Sequence, residues 1–207
     1  MSIAITRSVG GFFDEVVGEA VKTQQVDATD EARSYLVALL TEFAHPGPVM
    51  GHTFDRPLAF LLDEALRTNG AERFQKLRVL GDGVLYITGF FGDHIENRGV
   101  DVGYVTSVGA TAYRGAAIML RRPNTESPAV AARSDETDNV FGELSQKFDR
   151  FVDVLTTVAD TTFAQQMRGE RGVLKLYERW LRSGSTTLAR ELGARGLVPV
   201  RGTGGVH

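Results

Sequence analysis

The sequence predicts an all-α fold, a single-domain bundle of about seven helices with a glycine-rich central helix pair. Apolar residues recur at intervals of three and four along most of the chain, which is the period of one helix face. Proline and glycine cluster in the short segments between these stretches, where they end helices. The length of 207 residues suits one compact domain, expected to span 1–200 and to leave a loose tail at 201–207.

The first three helices are predicted from apolar spacing and from the residues near their ends. They are expected over 8–21, 32–43 and 57–66. Thr29 or Asp27 can cap the exposed amides at the start of the second helix. The segment 45–57 is rich in proline and glycine, which predicts a loop before the third helix.

The two central helices are predicted over 72–96 and 101–122. Helical spacing runs through the first of them, although the segment 83–91 taken alone is also compatible with a buried strand. Eight glycines lie from Gly81 to Gly115. Because a glycine inside a helix costs ~1 kcal/mol relative to alanine, so many of them indicate close packing, and we expect Gly109 and Ala112 to face a neighbouring helix.

The last third of the chain is predicted to start with a linker and to continue in helices. The linker, 122–139, contains small and charged residues and no large apolar residue. A long helix follows over about 137–163, with apolar residues at near-heptad spacing. Two shorter helices are expected, one around 173–181 and one over 186–192.

The composition excludes several classes of protein. The chain has no cysteine, which excludes a disulfide scaffold, a thiolate zinc site, an iron–sulfur cluster and a thiol nucleophile. The longest apolar run, 83–92, is about half of the ~20 residues that a membrane span requires. The N-terminus does not have the pattern of a secretory signal. We therefore expect a cytoplasmic protein without a membrane span.

Charge is distributed unevenly along the chain. Residues 1–146 carry a net charge of −7, whereas residues 147–207 carry +4. A basic region can attract nucleic acid or an acidic protein. Glu170 and Glu178 interrupt the basic residues of this region, a pattern typical of a solvated helix face, so nucleic acid is disfavoured as a partner.

Catalytic and metal-binding motifs are sparse. Glu42 and His45 have the Glu-x-x-His spacing of di-iron bundles, but no second copy exists, so no metal is expected. The sequence lacks the GxxxxGK[ST] and GxGxxG nucleotide motifs and the GxSxG motif of serine hydrolases. No cofactor is expected.

A polar stripe on the first central helix is the best candidate for a ligand site. Arg78, Asp82 and Tyr86 follow one another at intervals of four residues, which places them on one helix face. A buried ion pair that fixes the packing of the helix is one interpretation. A polar lining of a pocket between the central helices is the other.

These observations favour a non-enzymatic regulatory or assembly protein that acts through protein–protein contacts and self-associates. The predicted partner surface comprises Phe148, Phe151, Arg179 and Trp180, because apolar residues exceed what one buried stripe needs and because Trp and Arg are enriched in binding hot spots. The alternative is a small-molecule-binding protein or an enzyme with a pocket around Asp82. A central cavity would favour this alternative, whereas a filled centre with an exposed apolar patch would favour the partner hypothesis.

Overall fold

The computed structural model describes residues 8–44, 56–97, 99–120 and 139–200. Every regular element in these ranges is an α-helix, so the predicted all-α class is confirmed. The helices are α1 Val9–Thr23, α2 Asp30–Phe43, α3 Leu58–Arg67, α4 Gly70–Asn97, α5 Val102–Leu120, α6 Val140–Gln146, α7 Phe148–Gln166, α8 Gly169–Ser183 and α9 Thr186–Ala194.

The described ranges contain nine helices, so the predicted number of about seven is wrong. The long helix predicted over 137–163 is divided into α6 and α7 at Lys147, whose backbone angles are φ −105° and ψ 25°. Apolar spacing continues across this break, since Leu144, Phe148 and Phe151 are all buried. The hydrophobic period therefore carries no signal of the division.

The segment 83–91 is helical within α4, as preferred from the spacing. The helix is not regular throughout, because Phe91 has φ −130° and ψ 23°, which kinks the chain there. Phe91 is also half exposed, with 47% of its surface accessible.

Side-chain caps begin several helices and explain their boundaries. Thr29, one of the two predicted caps, accepts a hydrogen bond of 3.1 Å from the backbone N–H of Ala32. Asn139 accepts from the N–H groups of Phe141 and Gly142 at the start of α6. Each of these bonds satisfies an amide that has no partner within its own helix.

The helices form two compact units, Met1–Leu155 and Thr156–His207. The predicted single domain over 1–200 stays a prediction, and the predicted loose tail at 201–207 lies outside the described residues. So does the predicted linker, except for Asn139, and most of the predicted loop 45–57.

The first unit is built around the contact between α4 and α5. A Cβ atom added at Gly109 would lie 2.4 Å from Phe148 and 2.7 Å from Val84. One added at Gly81 would lie 2.6 Å from the Tyr113 ring. Ala112 is fully buried. The expected close approach at Gly109 and Ala112 is therefore present, because any larger side chain at these positions would meet a packed neighbour.

The second unit has a core of its own from the end of α7, α8 and α9. Its buried members are Ala164, Leu176, Trp180, Leu188 and Leu192. The Arg195 guanidinium donates hydrogen bonds of 2.7 Å to the carbonyl oxygens of Ala164 and Met167. These carbonyls lie at the C-terminal end of α7, so Arg195 caps this end of the helix.

Candidate functional site

The Asp82 carboxylate lies in the interior of the first unit, on α4. Its Oδ1 atom accepts hydrogen bonds from two tyrosine hydroxyls, at 2.6 Å from Tyr35 on α2 and at 2.7 Å from Tyr113 on α5. Asp82 is 8% exposed and Tyr113 is fully buried. We call Asp82, Tyr35 and Tyr113 the Asp82 cluster. It joins three helices through one carboxylate oxygen.

Arg78 lies one turn before Asp82, as the spacing predicts. Its Nε atom is 3.5 Å from Asp82 Oδ2, which is an ion-pair distance but not a well-formed hydrogen bond. The Nε atom is buried and has no hydrogen-bond partner among the described residues. Arg78 therefore acts on Asp82 through its charge more than through directed bonding.

Burial dominates the electrostatics of the cluster. It raises the pKa of Asp82, and the bonds from the two tyrosines and the charge of Arg78 oppose that rise only in part. Burial and then the neighbouring carboxylate raise the pKa of Tyr35 and of Tyr113. Both phenols consequently stay protonated at physiological pH and remain donors to Asp82.

Tyr86, the third residue of the predicted polar stripe, lies in an aromatic stack. Its ring stacks between Phe43 and Phe90, with ring centroids 4.5 Å and 4.7 Å apart. Burial raises the pKa of its hydroxyl. The structure therefore brings Arg78 and Asp82 together and places Tyr86 in an aromatic stack.

Tyr35 and Tyr113 were absent from the predicted site. Both occupy positions in apolar or small-residue stripes of their helices, and such positions are typical of core residues. One signal was available, because a buried tyrosine hydroxyl needs a partner and Asp82 was the predicted interior acceptor.

Asp82 Oδ1 already accepts two hydrogen bonds, one from each tyrosine of the Asp82 cluster. The Tyr113 ring also covers Gly81, the residue beside Asp82, at a distance that leaves no room for a Cβ atom. A groove of about 270 Å³ does lie elsewhere in the first unit, lined by Leu61, Glu64, Gln75, Lys76, Val79 and Leu80. None of the residues predicted to bind a ligand lines this groove.

A second buried carboxylate, Glu143 on α6, was not predicted. It accepts hydrogen bonds from the backbone N–H and the hydroxyl of Thr29 and pairs with Lys147 at 3.0 Å. Burial raises its pKa, but the bonds from Thr29 and Lys147 outweigh burial and hold the pKa below its usual range. Glu143 thus fastens the start of α2 to α6.

The aromatic residues predicted at a partner surface are buried. Phe151 is fully covered, Phe148 is 3% exposed, and Trp180 is 6% exposed. The Phe148 ring lies 5.8 Å from that of Tyr113 in the first unit. These side chains belong to the core of the described chain. Their role in binding stays a prediction.

Arg179, the fourth residue of the predicted partner surface, is turned towards its own unit. Its Nε atom donates a hydrogen bond of 2.9 Å to Asp160, which is 1% exposed. Its guanidinium also lies 4.9 Å from the centre of the Phe163 ring. Arg179 therefore holds α8 against α7 within the second unit.

The face of α8 opposite to Arg179 carries exposed apolar side chains. Leu174 is 58% exposed and Leu181 is 44% exposed, and half-buried Tyr177 lies between them. We call these three residues the α8 stripe. Nearby, the Tyr177 hydroxyl donates a 3.4 Å hydrogen bond to the carbonyl of Val200, and Val200 is itself exposed.

Neither a metal site nor a membrane span is present in the described ranges. These residues contain no group of three or more His, Asp or Glu side chains that could hold a metal ion. His45, the partner of Glu42 in the Glu-x-x-His pair, lies outside them. None of the described helices combines the length and apolar character needed to cross a membrane.

No protein family model matches the chain, and neither a curated protein sequence nor a solved structure matches it.

Proposed function

We propose that this chain is a non-enzymatic assembly or regulatory protein that acts through protein–protein contacts and associates with itself. The observation that carries the proposal is the exposed α8 stripe. Leu174 and Leu181 leave about half of their surface in solvent on a helix whose other side already holds the core of the second unit. Exposed apolar side chains that share one helix face are typical of interaction sites.

The packing around Asp82 supports the same conclusion. A ligand site needs free polar groups that converge on a space. Asp82 Oδ1 is instead engaged by Tyr35 and Tyr113, and the Tyr113 ring fills the space beside Gly81. These contacts disfavour the alternative hypothesis of a pocket at the Oδ1 side of Asp82.

The experiment that tests the proposal measures molar mass against protein concentration, by size exclusion with light scattering. We expect the wild-type mass to rise above that of one chain as concentration increases. Leu174→Glu should prevent the rise and leave the circular dichroism spectrum unchanged, because the side chain is exposed. Ile118→Glu is the matched control, since Ile118 is also an exposed apolar residue, at 59%, but lies on α5.

Two results would count against the proposal. A wild-type chain that stays monomeric at every concentration would contradict the proposed self-association. Native mass spectrometry that shows a stoichiometric small molecule, lost on Asp82→Asn, would favour the ligand hypothesis instead.

A further inference from the structure

We propose that two copies of this chain pair through α8 in antiparallel orientation, with Leu174 of each copy packed on Tyr177 of the other and Arg171 of each paired with Glu178 of the other. The inference rests on the proposed function and specifies its interface. It is carried by the apolar spacing of the α8 stripe and by the charges beside it.

The spacing of the stripe is that of a helix–helix seam. Leu174, Tyr177 and Leu181 are separated by three and then four residues, which is the heptad pattern of helices that pair side by side. On the opposite side of α8, Leu176 and Trp180 are buried in the core of the second unit. Tyr177 also packs against this core, with its ring 5.5 Å from that of Trp180, whereas Leu174 and Leu181 extend from the helix into solvent.

The charges that flank the stripe are of opposite sign and lie on one edge. Arg171 is three residues before Leu174, and Glu178 is four residues after it, so both project beside the same side of the seam. Both residues are exposed, and neither forms an ion pair with another described residue. They are available to a partner.

This arrangement favours an antiparallel over a parallel pair. In an antiparallel pair the same edge of both helices meets, so Arg171 faces Glu178 of the second copy twice, once on each side of the two-fold axis. When Leu174 of one copy is level with Tyr177 of the other, Arg171 of one copy and Glu178 of the other are offset along the helix axis by about 3 Å, the rise of two residues. In a parallel pair, the edge that carries Arg171 and Glu178 would instead meet the other edge of the second helix. That edge carries Val173 and Trp180 and no charge.

The same charges argue against a lipid surface as the occupant. Interfacial helices that bind anionic membranes carry Lys and Arg on their polar face. Here Glu178 borders the exposed leucines, and Glu170 lies seven residues before Tyr177, at the preceding heptad position of the stripe itself. An anionic membrane would repel both carboxylates, whereas a second copy offers Arg171 to one of them.

Charge reversal tests the pairing on the full chain. Arg171→Glu alone places a second carboxylate against Glu178, and Glu178→Arg alone places two arginines together. We expect each variant to weaken dimerisation by ~10-fold or more, as like charges do at an interface. An equimolar mixture of the two variants should restore it, because both contacts between unlike chains are again attractive. Sedimentation velocity measures the masses, and Arg190→Glu, at an exposed position on α9, is the control.

Crosslinking tests the orientation separately. The chain has no cysteine of its own, so single cysteines can be placed without background. Under oxidation, a mixture of Leu174→Cys and Tyr177→Cys should form the mixed disulfide faster than either variant forms a disulfide with itself. Faster linkage of Leu174→Cys to itself would indicate a parallel pair and overturn the proposed orientation.

The remaining outcomes separate this inference from the proposed function. A wild-type dimer that neither charge reversal weakens would overturn the α8 pairing and leave self-association through another surface. Loss in both single variants without recovery in the mixture would overturn the contact between Arg171 and Glu178. A wild-type monomer that binds phosphatidylserine vesicles through Leu174 would overturn both the pairing and self-association.

Discussion

Tyr113 donates a 2.7 Å hydrogen bond to Asp82 from a ring that also covers Gly81, the residue immediately before that aspartate. One side chain of α5 therefore contacts α4 twice, once through its hydroxyl and once through its ring face. The absence of a Cβ at Gly81 is what allows the ring to come close enough for the hydroxyl to reach the carboxylate.

The first prediction concerns this bond. Tyr113→Phe keeps the ring and removes the hydroxyl, so we expect a loss of about 1 to 3 kcal/mol in the free energy of unfolding. Urea denaturation followed by circular dichroism measures it. Tyr104→Phe is the control, because Tyr104 is exposed on the same helix. Equal stabilities of the two variants would show that the hydrogen bond contributes little.

The second prediction compares two glycines inside helices. Gly109→Ala should destabilise the chain by ~1 to 3 kcal/mol, since the added Cβ would lie 2.4 Å from Phe148. Gly18→Ala should stabilise it by ~0.5 to 1 kcal/mol, because no atom lies within 4 Å of the added Cβ on α1. Thermal melting separates the two variants, and shifts of the same sign would contradict the packing described for Gly109.

The third prediction is an acid dependence that arises from Glu143. Its pKa is lowered on folding from the usual 4.5, so its contribution is present above pH 4.5 and is lost as pH falls through the lower folded value. Glu143→Gln should therefore reduce the dependence of stability on pH below 4.5. Urea midpoints at a series of pH values measure this. If stability depends on pH below 4.5 in the same way in this variant and in the wild type, Glu143 does not cause the loss of stability in acid.

Asp82 provides a comparison of opposite sign. Folding raises its pKa from the usual 3.8, so ionisation of Asp82 favours the unfolded state. The free energy of unfolding therefore falls as pH rises from 3.8 through the raised value. Asp82→Asn should remove this fall. The same titration series therefore distinguishes the two carboxylates.

The fourth prediction concerns the buried aromatic residues. Phe151→Glu and Trp180→Glu should unfold the units that hold them, because each would place a carboxylate in a space now filled by an apolar ring. Leu174→Glu should leave the fold intact. Circular dichroism distinguishes the three variants, and a folded Phe151→Glu chain would show that Phe151 is accessible after all.

The helical period and the end signals of the helices could be read from the sequence because they are local. Thr29 lies three residues before the amide that it caps, and the stripe of α1 repeats within two turns. The break at Lys147 could not be read, because buried apolar spacing is the same on both sides of it.

The sequence by itself determined the all-α class and the close approach at Gly109, since both follow from residue size and period along one chain segment. Only the tertiary structure decided which apolar face of α8 is covered: Trp180 and Leu174 have the same kind of spacing, but one meets α9 and its neighbours and the other meets solvent. The partners of Asp82 were decided in the same way. Tyr35 and Tyr113 lie 47 and 31 residues away in the chain, and sequence periodicity holds no information about contacts at such separations.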